Sequence, residues 1–593
     1  MKKRAKLFAM ALTAMALLSA CGNSSTSSSS ASSGDSEVKL EKTVDNEGTP
    51  IKGGTLKVAE VSDSPFKGLW YTTWSTEATD SDIGNWANES LFQTDPDYKI
   101  NDKGAAGVKL DRKNKTATVT LKDNLNWSDG KPVTADDLIF SYEVIADKDY
   151  TGVRYDSDMM NVVGIGDYHD GKASSISGLE KVSDKVLKIH FKEMTPSMLY
   201  GFGGLPSEAL PKHALESIPV KDMEKSDVVR KNPITYGAFK FKKVVPGESV
   251  EFEANKDYYK GAPKVDKVIV KIVPSSSILS ALKNGEYDIV QQMPTSTYKT
   301  YKDYKNYDIL GETSLYYGYI GFKLGKWDNQ KGEVAYNKNA KMANKALRQA
   351  IGYAVDNDQV SNKLYNGLQQ RANSLIVPNF NDLHMDKKDL PGFTYDPEKA
   401  KKLLDDAGYK DTDGDGLRED PDGKKLTINF AMPSGSSTTE ALSEYYLQSF
   451  KAIGLDVRLL NGRLMDSNDF FDRVQKDDKD IDMYSSGWGV ASDPNPTGLH
   501  GKFEQFNLTR YTDDKLNTIL KNLSSEKAFD EKYQKEQYDA FQKYMNDIAV
   551  EIPQRYALDV TPVNKRVKHY SVDRMGHVTE YQEIELTADN PVK

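Results

Sequence analysis

The run Asp411-Thr412-Asp413-Gly414-Asp415-Gly416-Leu417-Arg418-Glu419-Asp420-Pro421-Asp422 is the segment of this chain best suited to hold a metal. Carboxylates at loop positions 1, 3 and 5 with glycine at 6 follow the EF-hand calcium pattern, in which position 7 lends a carbonyl and position 12 a bidentate acid. Here those two positions are Leu417 and Asp422. Asp422 is shorter than the usual Glu and Pro421 stands beside it, and the flanks do not read as two helices. The same Asp and Gly residues suit a hairpin tip without metal. Two readings follow: a calcium loop ligated by Asp411, Asp413, Asp415, Leu417 and Asp422, or a polar turn.

Other chemistry is scarce. Gly166 to Lys172 spells G-x-x-x-x-G-K, but Ala173 replaces the magnesium-binding Ser/Thr of a P-loop and no helical pattern follows, so the segment reads as a surface loop. The seven histidines are scattered, with no H-E-x-x-H pair. There is no G-x-S-x-G elbow. Acids are abundant but nothing selects a glycosidase-like pair. A binding protein with no catalytic residues is the favoured class, and a secreted hydrolase is the out-of-class alternative.

Cys21 is the only cysteine. It follows a basic start (Lys2, Lys3, Arg4, Lys6) and an apolar run from Phe8 to Leu18, which together read as a secretory signal over residues 1–20. The run is too short to span a bilayer. Leu18-Ser19-Ala20-Cys21 resembles a bacterial lipobox, whose cysteine becomes a lipidated N-terminus. The expected location is the extracytoplasmic face of the cell membrane, held by lipid. Residues 21–50 are rich in Ser and other polar types and read as a flexible tether, which puts the start of the folded part near Ile51. Behind it lie over 500 residues, too many for one core, so two or three domains are expected. A net charge of −9 with mixed signs gives no footprint for nucleic acid.

The elements that must position any site begin with alternating strands. These are Gly53 to Ala59, Thr116 to Leu121, Lys185 to Phe191, Ser249 to Ala254 and Lys264 to Val273. Thr134 caps a helix with Asp137 at the third position. In the second half, helical spacing over Asn344 to Val355, Pro397 to Ala407 and Thr438 to Ile453 alternates with strands Leu426 to Phe430 and Leu455 to Leu460. That alternation indicates an α/β fold with partly parallel strands.

Several motifs resemble one family. Trp127-Ser128-Asp129-Gly130-Lys131-Pro132-Val133-Thr134-Ala135-Asp136-Asp137 is similar to the signature of the solute-binding family 5 proteins, the peptide-binding components of ABC importers. Tyr236 to Phe239, Asn255 to Pro263, Leu282 to Asp288, Leu347 to Asp356 and Ser486-Gly487-Trp488 fit the same pattern in the same order. Within the family the chain looks most like the oligopeptide-binding lipoproteins of lactic acid bacteria. The resemblance implies a two-lobed periplasmic-binding-protein-like α/β fold of the cluster C type, with an extra domain and two hinge crossings. It also implies domain I over 51–91, 205–312 and 554–593, domain II over 92–204, and domain III over 313–553. The implied partners are an oligopeptide and ABC permease subunits, with the chain itself a monomer. A peptide-pheromone receptor and a binder of oligosaccharide or metal chelate are alternatives on the same fold. The candidate peptide-binding residues are Trp74, Ser75, Glu77, Ala78, Tyr317, Tyr319, Ser485, Ser486, Gly487, Trp488, Gly489, Val490, Ala491 and Asp493. Tyr317 and Tyr319 come from the alternating run Leu315 to Phe322, which suits a pocket wall or a core equally. In many relatives an aspartate three residues after the Trp binds the peptide's α-amino group. Here that position is Ala491 and the nearest acid is Asp493, so the termini are expected to be held loosely and longer peptides to fit.

Overall fold

The computed structural model describes residues 38–435, 437–573 and 579–593. The leader, Cys21 and the serine-rich run lie outside the described residues. The folded part starts earlier than Ile51. Thr43–Asp45 is a strand paired antiparallel with Val567–Ser571, Val44 is buried, and Glu41 bridges to Leu310. The tether boundary expected at residue 50 is therefore corrected to a point before Glu41. One apolar residue in a polar run carries no periodic signal, which is why the strand was not legible.

Eleven strands form one mixed sheet. In chain order they are β1 (Thr55–Val61), β2 (Phe239–Val245), β3 (Ser249–Ala254), β4 (Lys267–Val273), β5 (Ile289–Gln291) and β6 (Tyr307–Phe322). Then come β7 (Gln369–Arg371), β8 (Thr427–Ala431), β9 (Asp456–Leu459), β10 (Met483–Gly489) and β11 (Glu551–Asn564). The spatial order is β9-β8-β10-β6-β11-β5-β1-β4-β3-β2, with β7 added on β11. β8 and β9 pair in parallel, as do β1 and β4, as the helix–strand alternation predicts for the first pair.

The sheet turns on β6 and β11, which are 16 and 14 residues long. Their antiparallel register runs from Tyr307↔Asn564 to Gly321↔Glu551 and breaks between Thr313 and Tyr317. There Ser314, Leu315 and Tyr316 oppose Ala557 alone, a wide bulge that bends the ladder. β11 contains Pro553 and Pro562. Proline gives no ladder hydrogen bond and argues against a central strand, so this element was hidden in the sequence.

Separate cores grow from the two ends of this ladder. Leu310 and Val563 pack with Leu56, Val58, Trp86, Phe252 and Val268. Ile320, Phe322 and Ile552 pack instead with Leu347, Ile351, Phe430, Phe450 and Phe541. A third core sits on a separate four-stranded antiparallel sheet (Ala106–Asp111, Thr116–Leu121, Val186–His190, Leu179–Ser183) and gathers Val119, Trp127, Leu138, Tyr142 and Leu187. Its helix Ala135–Ala146 starts as expected, with Asp137 Oδ2 accepting from Thr134 N–H at 2.8 Å.

Asp288 and Arg566 pin the first core. Both side chains are fully buried, with Nε to Oδ1 at 2.6 Å and Nη2 to Oδ2 at 2.7 Å. Asp288 also accepts from Lys57 N–H at 2.7 Å, and Arg566 donates to the carbonyls of Thr55 and Ala588. Removing one member strands the other charge in the interior. Asp288→Ala is expected to lose about 3–5 kcal/mol of unfolding free energy, measured by urea unfolding; a loss below 1 kcal/mol would contradict the staple role.

Candidate functional site

β10 is half-paired. Along one side it follows β6 from Tyr316↔Gly489 to Phe322↔Met483. On the other side β8 reaches only Met483 and Tyr484. Val490 N–H donates to the Leu315 carbonyl at 2.8 Å. Hydrogen bonding alternates along an antiparallel strand, so Ser486, Trp488 and Val490 address β6 while Ser485, Gly487 and Gly489 turn N–H and C=O to the open edge. Among the described residues nothing pairs with that edge. A row of unpaired backbone groups is a template for another extended chain.

Two cavities lie along β6 and β11, the first of them reaching Val490 at the end of this edge. One of about 400 Å³ sits at the β6 bulge, lined by Ser314, Leu315, Tyr316, Val490, Ala557 and Asp559. The other, about 670 Å³, shares Ala557 and Asp559 and reaches Asp82, Gln292, Glu312 and Gln369. Trp488 meets Phe506 edge-on at 5.9 Å, and Phe503 and Phe506 are exposed.

The remaining candidates divide. Tyr317 and Tyr319 are 1% exposed and belong to the core, so their placement on a pocket wall is corrected. Tyr316, on the opposite face of the strand by simple alternation, lines the cavity at the bulge instead. Trp74 is buried in a small apolar cluster with Tyr71 and Phe140, and Ser75 is buried beside it. Glu77 is exposed and paired with Lys67 at 2.5 Å, and Ala78 opens the helix Ala78–Gly84. No hydrogen bond or ring contact joins these four to β10 among the described residues. Arg154 Nη2 donates to the Ser75 carbonyl at 3.0 Å, which brings them next to the loop holding Asp156 and Asp158.

That loop faces the segment after β10. Ala491 is exposed and carries no charge. Asp493 accepts from Asn495 N–H at 3.0 Å and from the Ser197 hydroxyl. Burial, with Asp158 nearby, pushes its carboxyl up to about 6. Burial also lifts Glu504 to about 7, helped by Asp158 and Asp156. Four acids from two cores thus crowd one seam, a grouping that sequence spacing could not show.

At the acidic loop the structure gathers Asp411, Asp413 and Glu419, whose oxygens lie within 4.8 Å of one another. Asp415 and Asp422 stand outside this group, so the expected ligand set is corrected. Asp422 pairs with Lys424 at 3.4 Å. The loop caps its own turns: Asp411 accepts from Gly414 and Gly416 N–H at 2.7 and 2.9 Å, and Asp415 from Leu417 N–H at 2.8 Å. That Leu417 contact uses its N–H, where the calcium pattern would use its carbonyl.

Sequence reasoning missed Tyr316, Arg555, Glu551 and Asp158. Glu551 and Arg555 sit on the proline-broken β11, which pairing with β6 brings into one sheet with β10, and Asp158 sits in a loop that meets Asp493.

The family described as bacterial extracellular solute-binding proteins, family 5 (middle region), matches residues 100–509. The chain is 35% identical over 587 residues to the oligopeptide-binding protein OppA of Lactococcus lactis subsp. lactis, covering 97% of this chain and 96% of that protein. Lactococcal OppA complexed with an endogenous peptide in the closed conformation matches with a TM-score of 0.81 at 35% identity, over 90% of this chain and 100% of that one. The oligopeptide-binding protein AppA from Bacillus subtilis, in complex with a nonapeptide, matches with a TM-score of 0.71 at 25% identity, over 91% and 100%. The fold is the two-lobed α/β architecture that the motifs imply.

Glu551 lies behind the site among Tyr317, Tyr319 and Tyr484, 1% exposed, with Oε2 unpartnered. His500 Nδ1 is 4.0 Å from its Oε1, and burial drives that imidazole down to about 3, so it stays neutral. Burial raises the Glu551 carboxyl from 4.5 to about 8. Between those values the unfolded chain sheds a proton that the native chain keeps, so stability present below pH 4.5 is lost as pH rises to about 8. The loss is on the order of a few kcal/mol. Glu551→Gln is expected to flatten this slope and to gain stability at pH 8 relative to pH 5 in urea unfolding. An unchanged slope would place a charged Glu551 in the native state.

Proposed function

The chain belongs to the bacterial extracellular solute-binding proteins of family 5, and from that premise we propose that it captures oligopeptides outside the cytoplasmic membrane and delivers them to an ABC importer. The observation that carries this reading is the open edge of Ser485 to Gly489. It offers N–H and C=O groups to any extended chain, whatever its side chains. Gly487 and Gly489 add no side chains to block the approach. Closure of two bodies joined by long crossing strands excludes water from such a ligand and gives a permease one shape to recognise.

Two features support loose handling of the peptide's ends. Ala491 offers no charge, and Asp493 is engaged by its own turn and by Ser197. Acetylating the α-amine of an eight- or nine-residue peptide is therefore expected to change its affinity less than about threefold in calorimetry. A gripped amine would lose about 1.5–3 kcal/mol, roughly 10- to 100-fold. A drop of that size would assign the amine to Asp493.

Anchoring through Cys21 completes the proposal. No helix among the described residues is long and apolar enough to cross a membrane. A cysteine carrying several acyl chains holds firmly where one chain holds marginally. Cys21→Ala is expected to release the protein to the medium or leave it unprocessed. Fractionation showing the variant still processed and membrane-bound would reject the anchor.

A further inference from the structure

Arg555 is a buried cation with no acid beside it. It is 7% exposed. Its Nε donates to Gln369 Oε1 at 3.0 Å, and its Nη1 donates to Asn357 Oδ1 at 2.8 Å and Tyr446 Oη at 3.0 Å. The Tyr365 ring lies 5.4 Å from the guanidinium. All of these partners are neutral, and no described carboxylate is within ion-pair distance. Burying a charge without a counter-charge is costly, and Nη2, with two donors, has no acceptor among the described residues.

On one side Arg555 is in register with Arg371, which pairs with Asp358 at 3.2 Å, and on the other it meets glycine. Arg555 is in register with Gly318 on β6, which is in register with Gly487 on β10, so the three share one face of the sheet. A Cβ at Gly489 would meet nothing within 4 Å, and one at Gly318 would meet only backbone oxygens at 3.8 and 3.9 Å. Above Gly487 lies the Tyr316 ring, whose hydroxyl would be 1.8 Å from an added Cβ. Tyr316 is 37% exposed and lines the cavity at the bulge, while Gln369 lines the larger one. Glycines in register thus lead from the open edge toward Arg555, with the Tyr316 ring lying over Gly487.

We propose that Arg555, with the floor of Gly318, Gly487 and Gly489, is a carboxylate subsite of the cleft that selects peptides presenting an acidic group there. Guanidinium is suited to this task because its planar N–H groups match carboxylate oxygens. The glycines let a ligand come close without a side chain between. The acid is either the peptide's C-terminus or an Asp or Glu side chain. The subsite rests on the peptide-binding reading above and deepens it.

The test uses the folded mature protein and a neutral nonapeptide, made as free acid and as C-terminal amide, with single Glu and Gln substitutions scanned along it. In the wild type, one carboxylate is expected to be worth about 10- to 100-fold in affinity, with the others within threefold. Loss on amidation identifies the terminus, and loss on one Glu-to-Gln exchange identifies a side chain. Arg555→Gln is expected to reduce that increment below threefold, and Arg555→Lys, which keeps charge but not the planar fork, to reduce it partly. Should Arg555→Gln fail to fold, the wild-type series and Arg555→Lys decide. The proposal is overturned if all peptides bind the wild type within threefold of one another, or if the increment survives in both variants. Absence of binding by every peptide would instead remove the peptide-binding reading itself.

Discussion

Pairing between Tyr307–Phe322 and Glu551–Asn564 is the constraint from which the rest of the structure follows. One end of this ladder feeds the core of Leu56, Val268 and Val563, and the other feeds the core of Ile320, Phe430 and Phe541. A two-stranded crossing this long can break register in its middle, between Thr313 and Tyr317 and again between Gly318 and Tyr319, and stay in register at its ends, where buried side chains fix it. The bend occurs where Ser314, Leu315 and Tyr316 oppose Ala557. A cavity lined by Tyr316 and Ala557 sits at the same irregularity.

Edge strands are ordinarily hidden or charged to prevent unwanted pairing. β10 is neither, since its open stretch is Ser485-Ser486-Gly487-Trp488-Gly489. A site built from backbone groups recognises peptides as a class, and side-chain contacts then add preference. Trp488 with Phe506 supplies apolar surface. The seam of Asp156, Asp158, Asp493 and Glu504 supplies negative charge, and the raised carboxyls of Asp493 and Glu504 report its mutual repulsion and burial. Arg555 supplies the opposite sign on the far side of Tyr316.

Much of the fold was legible because its elements are locally consistent. The Thr134–Asp137 cap, the helix Lys345–Tyr353 after its Asn344 cap, and the parallel strands Thr427–Ala431 and Asp456–Leu459 each follow from period and capping chemistry. β11 was not legible, since Pro553 and Pro562 break the strand pattern and only pairing on three sides, with β5, β6 and β7, holds it extended. The short strand at Val44 failed for a different reason: its stability comes wholly from Val567–Ser571, far along the chain.

The sequence by itself determined the binding class and the absence of a charge at Ala491, because motif order and residue type suffice for these. Tertiary structure alone decided which tyrosine lines the cavity and which two enter the core. A strand's alternation gives two faces without saying which is inward, and packing here puts Tyr317 and Tyr319 in the core and Tyr316 on the opposite face. It alone decided that Glu419 joins Asp411 and Asp413 while Asp415 and Asp422 do not, since turn geometry sets where each carboxylate points. It alone set Arg555, Gly318 and Gly487 in one line across three strands drawn from distant parts of the chain. Spacing in sequence carries no record of such register, which is fixed only when the buried faces pack.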